Sequence, residues 1–126
     1  MLATFPMRNF RDLQIWSRSH ALTLDIYRLS QEFPKAETYG LISQMRRSAS
    51  SVPTNIAEGC GRNTERDFAR FLDNAMGSAS ELEYQLILAH DLKYIQHEAF
   101  EKTIHELTEI KRMLKAFIQK LRAVSD

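Results

Sequence analysis

Chemistry in this chain could come from its four histidines, its single cysteine, or its arginine-rich stretches. The histidines, His20, His90, His97 and His105, are scattered. A bundle-type di-iron site needs Glu-x-x-His on two helices, and no such triplet spacing occurs. Glu101 and His105 lie four apart and could form an exposed pair at most. HExxH, which sets two metal ligands one helical turn apart, is also absent: His97-Glu98 runs into Ala-Phe-Glu and His105-Glu106 into Leu-Thr-Glu. Cys60 sits between two glycines with no histidine nearby in sequence. A reactive thiol needs an electropositive or basic neighbour, so a small buried or half-buried residue is the reading for Cys60. These searches leave no catalytic residue, no metal ligand set, no cofactor and no evident small-molecule substrate.

The arginines are different. Arg46, Arg47, Arg62, Arg66 and Arg70 fall within 25 residues, and Lys111, Arg112 and Lys115 make a second group. Guanidinium groups bind phosphate bidentately and stack on bases. Gly59, Gly61 and the start of the following helix could add backbone N–H groups beside Arg62 and Arg66. A glycine-rich turn with solvated arginines is the plainer alternative there. For the second group it is cations favouring a helix C-terminus.

These side chains must be held by helices. The chain has 126 residues, 44% apolar and 26% charged, with only four glycines and three prolines. That length makes one domain, 1–126, and few breakers mean long elements. Net charge is +1, so a nucleic-acid partner must be argued from local clusters. One cysteine excludes an intrachain disulfide and fits a reducing, cytoplasmic setting. The start of the chain, MLATFPMRNFRDL, has no apolar run of signal-peptide type. Nothing approaches the roughly 20 apolar residues of a membrane helix.

Apolar spacing predicts helices at about 10–33, 41–58, 64–91 and 97–123, after a non-helical tail containing Pro6, with Asn9 as a cap. Short loops then give an all-α, antiparallel, up-down-up-down four-helix bundle. The first helix carries two stripes. Ile15, Leu22, Ile26, Leu29 and Phe33 form one; Leu13, Trp16, His20, Leu24 and Tyr27 form the other. Two stripes mean a wide buried face, so the second is a candidate oligomer interface. His20 on that stripe reads as a hydrogen-bonded core or interface residue. Pro34 closes the helix and begins a tight connection. The third helix opens on a Thr64/Asp67 capping box. Its Gly77-Ser78-Ala79-Ser80 run offers close approach, expected against the aromatics of the first helix.

The second helix contains Pro53 and is expected to kink there. Proline removes a donor and orphans the carbonyl of Ala49, with Ser50 or a water as the expected replacement partner. Met45, Ala49, Val52 and Ile56 face inward. Arg47, Ser51, Asn55, Glu58 and Arg62 form a polar face, with a Glu58–Arg62 ion pair if the helix extends that far. Gly59, Cys60 and Gly61 read as its end.

The stretch FPKAETYGLISQMRRSASSVPTNIAEGCGR, followed by FARFLDNAMGSASELEYQLILAHDLKYI, closely resembles the four-helix-bundle proteins encoded within intervening sequences of bacterial 23S rRNA genes, often labelled ribosomal. The most specific parts are Tyr39-Gly40-Leu41, Gln44 with Arg46-Arg47, Val52-Pro53, Asn55 to Gly59, Phe71-Leu72, and Gly77-Ser78 with Glu81. Cys60 stands where that group usually has an aromatic residue. The resemblance implies a ring-like homopentamer. It extends to the accessory variability determinant proteins of diversity-generating retroelements, which are basic pentameric bundles that bind nucleic acid and work with a reverse transcriptase. No enzymatic activity comes with it.

Two functions follow as expectations. One is a homo-oligomer that binds nucleic acid, RNA favoured over DNA, through the repeated arginine surface. The other is an assembly module in which Arg46, Arg47, Glu58 and Glu81 pair across subunits.

Overall fold

The computed structural model describes residues 8–124; the tail expected around Pro6 lies outside them. Four α-helices make the fold: α1 (Gln14–Ser30), α2 (Ser43–Cys60), α3 (Glu65–Asp91) and α4 (His97–Val124). No strand occurs among the described residues. Each helix packs on its sequence neighbour, and α1 closes the bundle against α4. At one end Tyr94, just after α3, donates to Glu37, between α1 and α2, at 2.9 Å. At the other, Arg8 before α1 reaches Glu65 at the start of α3 (3.0 Å), and Arg122 late in α4 pairs with Asp73. Those links fix the up-down-up-down order.

The core follows the spacing of apolar residues. Ile26, Met45, Ile56, Phe68, Leu72, Leu82, Leu86, Ile110 and Leu114 are completely buried, each worth about 1.5–3 kcal/mol against exposure. Phe68 meets Phe117 edge-on at 5.2 Å, joining α3 to α4. Outside the core, Arg18 of α1 holds Glu106 of α4 by two parallel bonds of 2.9 and 2.8 Å. This fork clamps the neighbouring pair of helices that touches least.

Both ends of α1 differ from expectation. Asn9 caps a single 3-10 turn, Phe10–Asp12, by accepting from the Arg11 N–H. Leu13 is extended (φ −87°, ψ 126°), and only then does α1 begin. The break folds the Phe10 ring back onto Trp16, with centroids 4.9 Å apart. At the far end the backbone tightens to i→i+3 bonds at Gln31, Glu32 and Phe33, and Phe33 still reaches the core. The connection to α2 is also more structured than a simple tight loop. A 3-10 turn, Lys35–Glu37, precedes a wide turn, Thr38–Ile42, in which Gly40 (φ −110°, ψ −110°) leaves the helical region.

Helix α2 runs on through Gly59 and Cys60. Gly59 is not a helix stop but a contact point: a Cβ there would lie 2.6 Å from Cδ1 of Phe68. Its missing side chain lets α3 close down on α2. Gly77 serves no such purpose within the chain, since a Cβ there meets nothing within 4 Å. The aromatics of α1 do not pack on the Gly77–Ser80 run; Ser78 instead bonds Ser51 of α2 at 2.9 Å.

Pro53 is buried inside α2. The carbonyl it orphans is met neither by Ser50, whose hydroxyl donates to Arg47 O, nor by a local group. Thr23 of α1 supplies the donor, its Oγ1 lying 3.1 Å from Ala49 O and 2.8 Å from its own helix's Ser19 O. A hydroxyl has one proton, so these two acceptors share it. The third connection, residues 92–96, uses Lys93 (φ 67°) in the left-handed region. Lys93 N–H bonds His90 O and Tyr94 N–H bonds Ala89 O, which together form a Schellman cap.

Candidate nucleic-acid interface

The structure separates the arginines into engaged and available groups. Adjacent helical residues point about 100° apart, so Arg46 and Arg47 diverge. Arg46 turns to α1: its Nε donates to Ser30 Oγ (2.8 Å), its Nη2 to Tyr27 O (3.2 Å), and its guanidinium lies 4.7 Å from the Tyr27 ring centroid. Arg47 turns to α3 and pairs with Glu81 at 3.0 Å within the same chain. Lys111 pairs with Glu83 at 2.7 Å, linking α4 to α3. Arg112 pairs with Glu109 at 3.0 Å on its own helix. That bond and the adjacent positive charge hold the Glu109 carboxyl below the usual carboxylate range. Lys115 is exposed.

The polar face of α2 becomes a seam against α3, made by Arg47–Glu81 and Ser51–Ser78. Asn55 donates from its amide to Ser51 O and Oγ. Glu58 does not pair with Arg62. The helix ends between them, and Arg62 swings onto the Phe71 ring, 4.4 Å from its centroid.

Arg62, Arg66 and Arg70 remain, at the turn before α3 and on its first two turns. All three are exposed. Arg62 and Arg70 both lie over the ring of Phe71, at 4.4 and 5.2 Å. Such contacts hold a guanidinium by its face and leave its N–H edge outward. Among the described residues neither Arg62 nor Arg66 has an ion-pair partner, and Arg70 has only a long one, Asp67 at 3.9 Å. Of the backbone donors near them, Gly61 N–H is already bonded to Glu58 O and Arg62 N–H to Gly59 O. Thr64 Oγ1 accepts from Asp67 N–H, capping α3.

The second stripe of α1 is only partly covered. Leu13 and Trp16 pack on the core edge. Leu24 is 45% and Tyr27 43% exposed. His20 is exposed rather than in the core, and stacks on Trp16 (5.1 Å, 7° between planes). Phe10, Trp16, His20, Tyr27, Pro53 and Ala57 line a shallow groove of about 470 Å³ between α1 and α2.

Cys60 is buried, and burial pushes its thiol up, away from the reactive thiolate. Among the described residues no group of three or more histidine, cysteine or carboxylate side chains is arranged to hold a metal. No helix among them is long and apolar enough to cross a membrane.

Among curated proteins no sequence matches this chain. Among solved structures it is similar to a protein of unknown function from the S23 ribosomal protein family of Bacteroides thetaiotaomicron. The two share 27% sequence identity and a TM-score of 0.75 over 82% of this chain and 97% of the other. The family described as 23S rRNA-intervening sequence protein matches residues 11–116, from the turn before α1 well into α4. With four helices in the expected order and a match across most of its length, the chain belongs to the 23S rRNA-intervening sequence protein family.

Proposed function

We propose that this chain is a non-enzymatic, cytoplasmic bacterial protein that assembles as a homo-oligomer and binds nucleic acid, RNA favoured, through Arg62, Arg66 and Arg70. One observation carries the reading: these three arginines are exposed, two braced on one phenylalanine, while Arg46, Arg47, Lys111 and Arg112 have partners inside the chain. A net charge of only +1 gives little general attraction for a polyanion, so affinity depends on this local cluster. A ring-like homopentamer, as the resemblance implies, would repeat it five times and raise avidity. The test is fluorescence anisotropy with a structured RNA at low and moderate salt. Binding that weakens steeply with salt supports the reading; no binding at either salt refutes it.

A second reading, an assembly module, is favoured by a different observation. Leu24, Tyr27 and the groove beside them form an apolar strip on α1 and α2 that one chain leaves uncovered. In this reading the strip is the subunit contact. Light scattering of Leu24→Asp/Tyr27→Asp would then give the mass of a single chain, whereas an unchanged mass would count against it.

A further inference from the structure

His90, in the last turn of α3, and His97, the first residue of α4, meet across the 92–96 connection. His90 Nε2 and His97 Nδ1 are 3.1 Å apart. The outer nitrogen of each ring faces a carboxylate: His90 Nδ1 lies 3.8 Å from Asp91, and His97 Nε2 lies 3.5 Å from Glu101. The His90 ring is fixed by stacking on Phe100, with centroids 4.1 Å apart and planes at 12°. The His97 side chain is 68% exposed and can rotate. His90, Asp91, Lys93, Ile95, Gln96 and His97 line an open pocket over the pair.

The carboxylates bias the tautomers. A neutral imidazole carries one N–H, and a negative group beside the outer nitrogen draws the proton there. With both protons outward, two lone pairs face each other across 3.1 Å. That arrangement calls for a cation between them. A carboxylate beside the outer N–H is also what orients histidines that ligate metals; here those oxygens stand 3.8 and 3.5 Å away. Two imidazole nitrogens bound at about 2.0–2.1 Å, at angles between square and tetrahedral, lie about 2.9–3.4 Å apart. The observed separation falls inside that range.

We infer that His90 and His97 form a two-histidine site for a borderline divalent transition-metal ion of the Zn2+, Ni2+ or Cu2+ class. Water completes the coordination, since no third protein ligand is in place among the described residues. Imidazole suits this class, and Cu2+ binds most tightly. The site lies on the α3–α4 connection, apart from the Arg62–Arg70 cluster at the opposite end of α3. It needs no step of the nucleic-acid reading.

The test is calorimetric titration of the full, tag-free chain with Cu2+ and with Zn2+. One saturable site per chain is expected, tighter for Cu2+. His90→Ala and His97→Ala should each weaken it about 10-fold or more, while His20→Ala/His105→Ala leaves it intact. Circular dichroism confirms that each variant is folded. No saturable binding up to about millimolar metal overturns the inference. Binding that survives in both His90→Ala and His97→Ala overturns it equally.

Discussion

Thr23→Val is the sharpest perturbation of the fold, because its cost should depend on a residue in another helix. Pro53 removes the N–H that would bond Ala49 O, and Thr23 Oγ1 at 3.1 Å takes its place. Thr23 is 7% and Ala49 2% exposed, so water cannot substitute freely. Valine keeps the shape and deletes the donor. The Ser19 carbonyl keeps its backbone partner, so the loss falls on Ala49 O, a buried unsatisfied acceptor worth about 1–3 kcal/mol. With ~4 °C per kcal/mol for a domain of this size, melting should fall by roughly 4–12 °C. Pro53→Ala restores an N–H to α2, at its own cost in rigidity and packing. In that background Thr23→Val should cost only about 0–0.5 kcal/mol. The double-mutant cycle therefore predicts a coupling of about 0.5–3 kcal/mol. The assay is urea denaturation followed by helical circular dichroism at one fixed protein concentration, since assembly would make stability concentration-dependent. Equal losses from Thr23→Val in both backgrounds would refute the reasoning.

Gly59→Ala should destabilise by about 1–2 kcal/mol, because crowding against Phe68 outweighs the ~0.5–1 kcal/mol that alanine gains in a helix; Gly77→Ala, with open space around it, should stabilise by about 0.5–1 kcal/mol in the same urea titration. Lys93→Gly should stabilise by about 0.5–1 kcal/mol by relieving the left-handed backbone, read as a higher melting temperature. The Arg18 hydrogen bonds and charge hold the Glu106 carboxyl below its ordinary range. Its contribution is therefore complete above that range and is lost as pH falls through the lowered value. Glu106→Gln should remove part of the acid sensitivity, by about 0.5–1 kcal/mol for so solvated a pair, in melting curves taken between neutral and acidic pH.

Helix positions were legible where chain-local chemistry decides them. Thr64 caps α3 where its spacing to Asp67 predicts, and the inward set of α2, Met45, Ala49, Val52 and Ile56, is buried in the core. Gly59 misled because a glycine can end a helix or admit a neighbouring one, and only Phe68, brought close by the fold, distinguishes the two. Pro53 announced an orphaned carbonyl, but its donor, Thr23, lies 26 residues earlier on α1. Arg46 and Arg47 are neighbours in sequence yet face different helices, a divergence implied by 100° per residue. What sequence could not supply was the partner on each side, Ser30 and Tyr27 for one and Glu81 for the other. The histidine pair was invisible for a similar reason: His97 lies seven positions after His90 but across a non-helical turn, so helical spacing does not relate them.

The arginines at the start of α3 carry the proposed function. Anisotropy titrations of a structured RNA, across a salt series, should compare the parent chain with Arg62→Ala/Arg66→Ala/Arg70→Ala and with Arg47→Ala. The triple variant should lose about 10-fold or more in affinity, and its salt slope should fall by about 3 per chain. Arg47→Ala should bind nearly as the parent does. A triple variant that binds RNA with the parent's affinity and salt slope would contradict the claim.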